Sequence, residues 1–334
     1  MHATDPPRVS SASSAPGPAS AVAADRVALL VVGEEGGGQR LDNYLLRLAK
    51  GVPKSHVYRI VRSGEVRVNG GRATVDQRLT VGDRIRVPPI RLAAAPAAAR
   101  PARGEVPPVL FEDEHVLAVD KPAGLAVHGG SGVDFGLIER VRAARSHQPF
   151  LELAHRLDRE TSGILLLAKS RRALLGLHAQ MRDGLVDKRY LTMVRGDWVN
   201  DRQHVRAPLS RYLTREGERR VAVDAEGMPS HTVFNLRERL GTFSLLEAEL
   251  KTGRTHQIRV HLAHLGFPIV GDDKYGDFEL NRQAARGEFG ARLPRMFLHA
   301  WSIRFNHPVG DAPVELTSPL PPDCDDFLRG LRHA

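Results

Sequence analysis

Two stretches without hydrophobic periodicity divide this chain of 334 residues, and they constrain its fold more than any other feature. Residues 1–25 are rich in Ala, Ser and Pro, and residues 91–107 combine alanine runs with three prolines. Such segments bury too little apolar surface to fold and are typical of tails and linkers. The sequence therefore predicts two folded units, over about 38–90 and 108–330. Residues 1–37 would then hold a disordered tail and a leading strand.

The composition of the chain narrows its class and its compartment. Hydrophobic residues make up 42%, which excludes global disorder. The single cysteine, Cys324, excludes an internal disulfide framework and a Cys-rich metal site. No apolar run approaches the roughly 20 residues that span a bilayer, and the run Val27 to Val32 lacks the cleavage pattern of a signal peptide. We therefore predict a cytoplasmic monomer with no membrane partner.

The positive charge of the chain is concentrated in the first unit. Lys and Arg outnumber Asp and Glu by 48 to 39 over the whole chain. From Arg40 to Ile90 there are eleven basic residues against four acidic ones, a charge of +7. Basic domains usually bind polyanions, although a solvated basic face is the alternative. The charge predicts a polyanion as the partner of this unit, either a nucleic acid or an anionic membrane.

Local patterns in the first unit predict two helices followed by a small twisted sheet. Apolar residues recur at helical spacing from Leu41 to Leu48. Ser55 is placed to cap a second helix, and Asn69-Gly70 is a hairpin turn signal. This arrangement would bring five cations together to grip phosphates without reading bases. They are Lys50, Lys54, Arg59, Arg62 and Arg67.

About 50 residues of the first unit resemble the S4 domain, a small RNA-binding module. The similar run is RLDNYLLRLAKGVPKSHVYRIVRSGEVRVNG. The resemblance implies that the bound nucleic acid is structured RNA rather than DNA.

The second unit contains a polar block between two apolar, strand-like runs. The segment is LELAHRLDRETSGILLLAK, from Leu151 to Lys169. Polar residues on a loop held by rigid strands commonly form catalytic sites. Asp158 has Arg156 and Arg159 within two residues, and nearby cations favour the ionised form of a carboxylate. The pattern fits a catalytic aspartate, and it equally fits a surface loop of salt bridges.

The polar block resembles the HRLDxxTSG signature of the RluA family of pseudouridine synthases. Three later stretches are also similar to that family: KRYL from Lys188, TGRTHQIRVHLAHLGFPIVGDDKYG from Thr252, and FLHA from Phe297. Within the family, the stretch VHGGSGVDFGLIE and the S4-like run look most similar to the RluC type, which modifies large-subunit ribosomal RNA. The resemblance implies an α+β fold, in which a mixed, mostly antiparallel sheet is flanked by helices and crossed by an RNA cleft.

The implied reaction is an isomerisation, which breaks the uridine N1–C1′ bond and joins C5 to C1′. It transfers no electrons and no phosphoryl group, so no cofactor is expected, and no nucleotide-binding motif is present. By resemblance, Asp158 is the catalytic aspartate, which either attacks C1′ or removes the C2′ proton. Arg259 would pair with that aspartate, and Tyr190 would stack on the uracil. Arg156 would fill the space of the flipped base, and Arg254 is a further candidate RNA contact.

Other readings of the polar residues have weaker support. The histidines and aspartates of the third stretch invite a metal site, but their spacing is not HExxH, and no cysteine assists. These residues are His256, His261, His264, Asp272 and Asp273. Ser162 lacks the G-x-S-x-G context of a hydrolase nucleophile, and Glu160 is assigned no chemistry. Met228 stands where relatives often have lysine, which puts one RNA contact in doubt.

Together these observations predict an enzyme that converts uridines of 23S ribosomal RNA, or of a pre-ribosomal particle, to pseudouridine. One alternative is the same chemistry on other rRNA or tRNA uridines. A second is a non-catalytic ribosome-assembly factor that only binds RNA. A third, a small-molecule glycosidase or hydrolase, gives no use for a domain of charge +7.

Overall fold

The computed structural model describes residues 26–49, 52–90, 104–129 and 135–333. The tail over residues 1–25, most of the predicted linker and Lys50 lie outside the described residues. The chain separates into two compact units, Met1–Arg100 and Pro101–Ala334. No helix in the described part is long and apolar enough to cross a membrane.

The small unit has the predicted order of two helices followed by a sheet. Its four strands pair antiparallel in the order β1-β4-β2-β3. The elements are β1 (Ala28–Val31), α1 (Leu41–Leu48), α2 (Lys54–Arg62), β2 (Arg67–Val68), β3 (Gly71–Arg72) and β4 (Arg84–Val87). The predicted leading strand therefore pairs with β4, although the sequence segmentation left it outside the unit that begins at residue 38. Asn69 and Gly70 form the predicted turn between β2 and β3.

The start of α2 differs from the prediction. Ser55 does not cap the helix, which begins at Lys54 directly after Pro53. Pro53 has φ −58° and ψ 141°, so its φ is close to the value that the proline ring imposes, and it lies just before the first helical residue. Val57, Ile60 and Val61 are buried on the inner face of α2, as the helical spacing indicates. Its exposed residues include three cations, Lys54, Arg59 and Arg62.

The described part of the large unit contains twelve strands and five helices. Its elements are β5 (Val109–Glu112), β6 (Val116–Lys121), α3 (Leu137–Ala144), β7 (Glu152–Leu153), β8 (Ser162–Ala168), α4 (Arg171–Arg182), β9 (Asp187–Arg195), β10 (Arg202–Val205), β11 (Leu209–Leu213), β12 (Arg219–Val223), β13 (Thr232–Leu240), β14 (Phe243–Leu250), α5 (Gln257–His264), α6 (Phe278–Arg286), β15 (Leu298–Asn306), β16 (Pro313–Thr317) and α7 (Pro322–His333).

Ten of these strands form one sheet in the order β10-β13-β14-β9-β15-β8-β6-β5, with β16 added to β15 and β7 to β8. Among the pairings of described strands, only that of β8 with β15 is parallel. Strands β11 and β12 form a separate hairpin. The prediction of an α+β fold with a mixed, mostly antiparallel sheet flanked by helices is confirmed.

The two faces of the sheet are covered by different helices, and β8 shows this division. Its Leu165 and Leu167 pack in one core cluster with residues of α3 and α5. Its Ile164 and Leu166 pack in a second cluster with residues of α4. Successive side chains of a strand point to opposite faces, so β8 is buried on both sides. The polar block ends where this buried strand begins.

The parallel pairing with β15 depends on a glycine at the start of β8. Gly163 has a φ of +108°, and a Cβ there would lie 2.3 Å from the carbonyl oxygen of Ala300. Only glycine allows this backbone approach. On β9, Tyr190 is in register with the same Ala300. The loop before β8 and the aromatic ring of β9 are therefore held beside one another.

Candidate active site

A cavity of about 760 Å³ lies in the large unit, and it collects the residues that the sequence singled out there. Asp158, Tyr190 and Arg259 all line it, and so do Arg156 and Arg254. These residues come from the loop before β8, from β9 and from α5 with the turn that precedes it. Their convergence from distant parts of the chain is what a reactive site requires.

The Asp158 side chain is 18% exposed, and two polar groups face one of its oxygens. Its Oδ2 lies 3.8 Å from Nη1 of Arg259 and 3.9 Å from Nε2 of His256. Both distances are within the range of an ion pair but too long for hydrogen bonds. The carboxylate is therefore near a fixed positive charge, and it remains accessible from the cavity.

A buried lysine anchors the loop that carries Asp158. Lys121, at the end of β6, is fully buried, and its Nζ donates to the carbonyl oxygens of Pro122, Leu125 and Arg159 at 2.8–2.9 Å. Burial lowers the pKa of Lys121 to about 7, against the opposing effect of the Glu160 and Asp158 charges. The lysine ties the residue after Asp158 to the turn after β6.

Arg259 is held rigidly by an aspartate on the following loop. Its side chain is 3% exposed, and its Nε and Nη2 donate to the two carboxylate oxygens of Asp272 at 2.7 and 2.6 Å. Nη2 also donates to Asp273 at 3.1 Å. Such a bidentate pair fixes the guanidinium plane. The close partner of Arg259 is thus Asp272, while Asp158 lies beyond its free Nη1.

Charge and burial have opposite effects on the pKa values of Arg259 and Asp272. Burial acts to lower the pKa of Arg259, but the bonds to Asp272 and the neighbouring carboxylates raise it overall. Burial acts to raise the pKa of Asp272, but Arg259 and the backbone N–H groups of Lys274 and Tyr275 lower it overall. Both groups therefore stay charged in a buried place, where an electrostatic interaction with Asp158 is weakly screened.

Tyr190 forms part of the cavity wall and is 6% exposed. Its ring packs in the core cluster with Leu298 and Ile258. Burial, together with the charge of Asp158, raises the pKa of Tyr190 well above its ordinary value. The phenol therefore stays protonated at neutral pH and offers an apolar ring face to the cavity.

Arg156 and Arg254 are exposed residues that also line the cavity. The Nε of Arg254 donates to the carbonyl oxygen of Pro229 at 3.3 Å. Met228 lies at the same wall and is 56% exposed, so an apolar side chain stands where the sequence comparison suggested a lysine contact. Arg211 adds another guanidinium to the lining, where it donates to Thr255 at 2.7 Å.

Helix α5 begins at Gln257 after His256, without a side-chain cap. The carbonyl of the Gln257 side chain accepts hydrogen bonds from the Thr252 hydroxyl and the Arg254 N–H. His256, considered above as a candidate metal ligand, lies beside Asp158.

The residues considered for a metal site and for a hydrolase nucleophile have other contacts in the structure. Among the described residues, no group of three or more His, Cys, Asp or Glu side chains could hold a metal ion. His261 is buried, and its ring nitrogens contact the Thr232 hydroxyl and the carbonyl of Ala207. Ser162 lies 3.0 Å from His299, but these two residues are 2% and 0% exposed, so no substrate reaches this pair.

Three of the five cations that the sequence predicted to come together form an open surface cluster, which we call the α2 basic cluster: Lys54, Arg59 and Arg62. These cations lie with Tyr58 along a shallow surface hollow. The charged groups of Lys54 and Arg62 lie 5.2 and 5.6 Å from the Tyr58 ring, within cation–π range. Arg59 contacts Glu65 at 3.2 Å. Arg67 is exposed on β2, while Lys50 lies outside the described residues.

Both units match known families. Residues 115–264 match the RNA pseudouridylate synthase family, and residues 39–85 match the S4 domain. The solved structure of human RNA pseudouridylate synthase domain containing 1 superposes with a TM-score of 0.53 at 26% identity, and it covers 70% of this chain and 98% of that one. Human RNA pseudouridylate synthase domain containing 4 gives the same TM-score at 24% identity, over 67% and 92% of the two chains, which supports the fold.

Two relatives are similar over nearly the whole chain. Ribosomal large subunit pseudouridine synthase C of Pasteurella multocida (strain Pm70) is 48% identical over 92% of this chain and 94% of its own length. The protein of the same name from Escherichia coli (strain K12) is 45% identical over 92% of this chain and 98% of its own. With this identity and coverage, the chain belongs to the RluC-type ribosomal large subunit pseudouridine synthases with an S4 domain, and it is an RNA pseudouridine synthase, an isomerase.

Proposed function

We propose that this enzyme converts uridines of large-subunit ribosomal RNA to pseudouridine, with Asp158 as the catalytic carboxylate. The names of the relatives support the RNA class, since both are ribosomal large subunit pseudouridine synthases. One observation supports the catalytic group: Asp158 lines the cavity, with Arg259 3.8 Å from its Oδ2 and Tyr190 in the same wall. The reaction needs these three kinds of side chain in one place.

A cavity of about 760 Å³ has the size of a small-molecule site, which suits one extruded nucleotide. Base extrusion costs a few kcal/mol and is easiest in loops. In the proposal, Arg156 fills the space that the base leaves, because a planar guanidinium can stack on neighbouring bases and bind phosphate. Arg254 and Arg211 contact the backbone of the bound RNA from the cavity wall.

The proposed chemistry conserves all atoms of the nucleoside. Asp158 either attacks C1′, displacing uracil at N1, or removes the C2′ proton to give a glycal and free uracil. The uracil turns while it is held against the Tyr190 ring, and C5 then bonds to C1′. The C5 proton is finally released, and N1 takes up a proton in its place. The carboxylate is restored when C5 displaces it from C1′ in the first route, or when it returns its proton to C2′ in the second. Arg259 stabilises the carboxylate form through both routes, because its charge is fixed by Asp272.

The test of this assignment separates chemistry from binding. Asp158→Asn should abolish tritium release from ribosomal RNA labelled with 5-tritiated uridine, while the dissociation constant for the RNA stays within about twofold. Glu160→Gln is the matched control, since it removes the next carboxylate along the loop, which pairs with Arg159 instead. Tritium release by Asp158→Asn at the wild-type rate would contradict the catalytic role.

The small unit supplies RNA affinity in this proposal. The unit over about 38–90 binds structured RNA through Lys50, the α2 basic cluster and Arg67, and the unit over about 108–330 performs the isomerisation. Residues 91–107 link them. We propose a cytoplasmic monomer that acts on 23S RNA or a pre-ribosomal particle. Mapping pseudouridines in cells without the gene tests the RNA class: losses confined to tRNA or small-subunit RNA would contradict it.

A further inference from the structure

One non-glycine residue at the cavity has a strained backbone. His256 has φ 54° and ψ 20°, in the left-handed region that side chains with a Cβ rarely adopt. Such strain persists only where surrounding contacts impose it, and it is concentrated at functional sites. His256 directly precedes α5 and lines the cavity between Thr255 and Gln257.

The contacts that impose this backbone come from the next residue. The Gln257 side chain accepts hydrogen bonds from the Thr252 hydroxyl at 2.8 Å and the Arg254 N–H at 3.0 Å. Its Nε2 donates to the His231 carbonyl at 3.0 Å and the Thr232 hydroxyl at 2.9 Å. Because Gln257 is buried and held at both ends, the turn before it has one conformation. That conformation directs His256 toward Asp158.

The hydrogen bonds of Tyr275 favour one tautomer of the His256 ring, with the hydrogen on Nε2. The Tyr275 oxygen accepts a hydrogen bond from the Val221 N–H at 3.0 Å. Its own hydrogen is then available for Nδ1 of His256, at 2.8 Å. With Nδ1 as the acceptor, Nε2 carries the imidazole hydrogen. This N–H is the part of the ring that faces Oδ2 of Asp158, 3.9 Å away.

The His256 ring is neutral in this setting. Burial is the main cause that lowers its pKa, and the charges of Arg259 and Lys274 lower it further, against Asp158 and Asp272. A neutral ring is consistent with one acceptor nitrogen and one donor nitrogen. His256 therefore presents a hydrogen-bond donor to Asp158 without adding a second full charge beside Arg259.

We propose that His256 is a positioning residue for the isomerisation, and that its Nε2–H fixes the rotation of the Asp158 carboxylate. His256 and Arg259 both face Oδ2, which leaves Oδ1 as the oxygen that meets the ribose. The distance of 3.9 Å shortens to a hydrogen bond when RNA fills the cavity, since such contacts often tighten only in the substrate complex. The proposal rests on the proposed role of Asp158.

Three variants test the donor. His256→Phe keeps a ring but removes the N–H, and it should lower the single-turnover rate about 30- to 100-fold, a range typical of residues that orient a catalytic group. The RNA dissociation constant should stay within about twofold. His256→Gln places an amide N–H near the position of Nε2 and should restore the rate to within about fivefold of wild type. Tyr275→Phe frees Nδ1, allows both tautomers, and should cost about three- to tenfold.

The outcomes separate this role from a structural one and from failure of the proposed function. Equal losses in His256→Phe and His256→Gln, or a wild-type rate in His256→Phe, would overturn the positioning role. Thermal melts of each variant check the fold, and Tyr275→Phe leaves His256 itself in place if the direct variants unfold. If Asp158→Asn keeps its activity, the proposed function fails. If Asp158→Asn is inactive and His256→Phe is normal, only the inference about His256 fails.

Discussion

The α2 basic cluster and Arg259 use positive charge in opposite ways. The Arg59 side chain is 60% exposed, and Lys54 and Arg62 rest on the ring of Tyr58 at the surface. Arg259 is 3% exposed and lies against three carboxylates. An exposed cation is screened by salt and adapts to any phosphate, so it contributes affinity. A buried and fixed cation acts on one chosen oxygen, so it contributes rate.

The small unit and the rest of the chain also differ in their balance of basic and acidic residues. Residues 40–90 hold eleven of the 48 basic and four of the 39 acidic residues, so the rest of the chain has 37 and 35. In the large unit, arginines are commonly paired with carboxylates, as Arg189 is with Glu247 and Arg295 with Asp323. The positive charge available to a polyanion is therefore concentrated in the small unit and at the cavity.

The largest expected effect comes from changing the geometry of the buried cation while keeping its charge. Arg259→Lys should lower the single-turnover rate about 100- to 1000-fold, because an ammonium cannot hold Asp272 in a bidentate pair and also face Asp158. The RNA dissociation constant should change by less than about threefold. Arg59→Lys is the matched control in the α2 basic cluster, and it should leave both quantities near wild type. A small rate effect of Arg259→Lys would show that charge alone suffices in the cavity.

The second prediction concerns the buried lysine beneath the catalytic loop. Lys121→Met leaves three buried carbonyl oxygens without their donor, and it should reduce the free energy of unfolding by about 3 kcal/mol. The single-turnover rate should also fall about tenfold, because Arg159 next to Asp158 loses its anchor. Urea denaturation measures the first effect. Lys251→Met is the control: Lys251 is 45% exposed and pairs with Glu249, so its loss should cost little.

Burial also makes the stability of the fold depend on pH, through His155. Burial lowers the pKa of His155 to about 4, and its Nε2 accepts the Leu166 N–H at 3.1 Å. An unfolded histidine titrates near 6.5. As the pH falls below 6.5, His155 is protonated in the unfolded chain but not in the folded chain. The free energy of unfolding therefore decreases toward pH 4. The loss should be about 2 kcal/mol between pH 7 and pH 5.

His155→Gln retains an acceptor for Leu166 without a titrating ring. The unfolding free energy of wild type minus that of His155→Gln should therefore decrease by about 2 kcal/mol as the pH falls from 7 to 5. Urea melts at the two pH values measure it. An unchanged difference would mean that His155 binds its proton equally well in both states.

The sequence predicted the features that depend on local pattern. The polar block between two apolar runs correctly placed Asp158 on a loop before a buried strand, and the spacing of Leu41 to Leu48 predicted α1. The resemblance to known families led to Tyr190 and Arg259, which the structure brings to the same cavity. Hydrophobic periodicity and local composition depend only on residues that are close in sequence, so they can be recognised without a structure.

The features that the sequence did not predict depend on contacts between distant segments or on competing caps. Asp272 pairs with Arg259 only because the chain turns back after α5, and Tyr275 reaches His256 by the same turn. Lys121 ends an apolar strand, where a lysine usually points to solvent. Its burial requires three carbonyls from two loops. The cap expected at Ser55 is absent because α2 begins one residue earlier, directly after Pro53.

The smallest expected effect tests the exposed side of the comparison. Replacing Lys54, Arg59 and Arg62 together with Gln should weaken RNA binding about tenfold near 0.1 M salt, and it should flatten the salt dependence of log K by about 2, since each phosphate contact contributes 0.7–0.9. The single-turnover rate at saturating RNA should not change, because these cations do not line the cavity. The matched control removes three exposed arginines near α6 of the large unit: Arg282, Arg286 and Arg292. An equal loss of affinity in both variants would mean that total charge governs binding, and a fall in the saturated rate would mean that the α2 basic cluster also takes part in the chemical step.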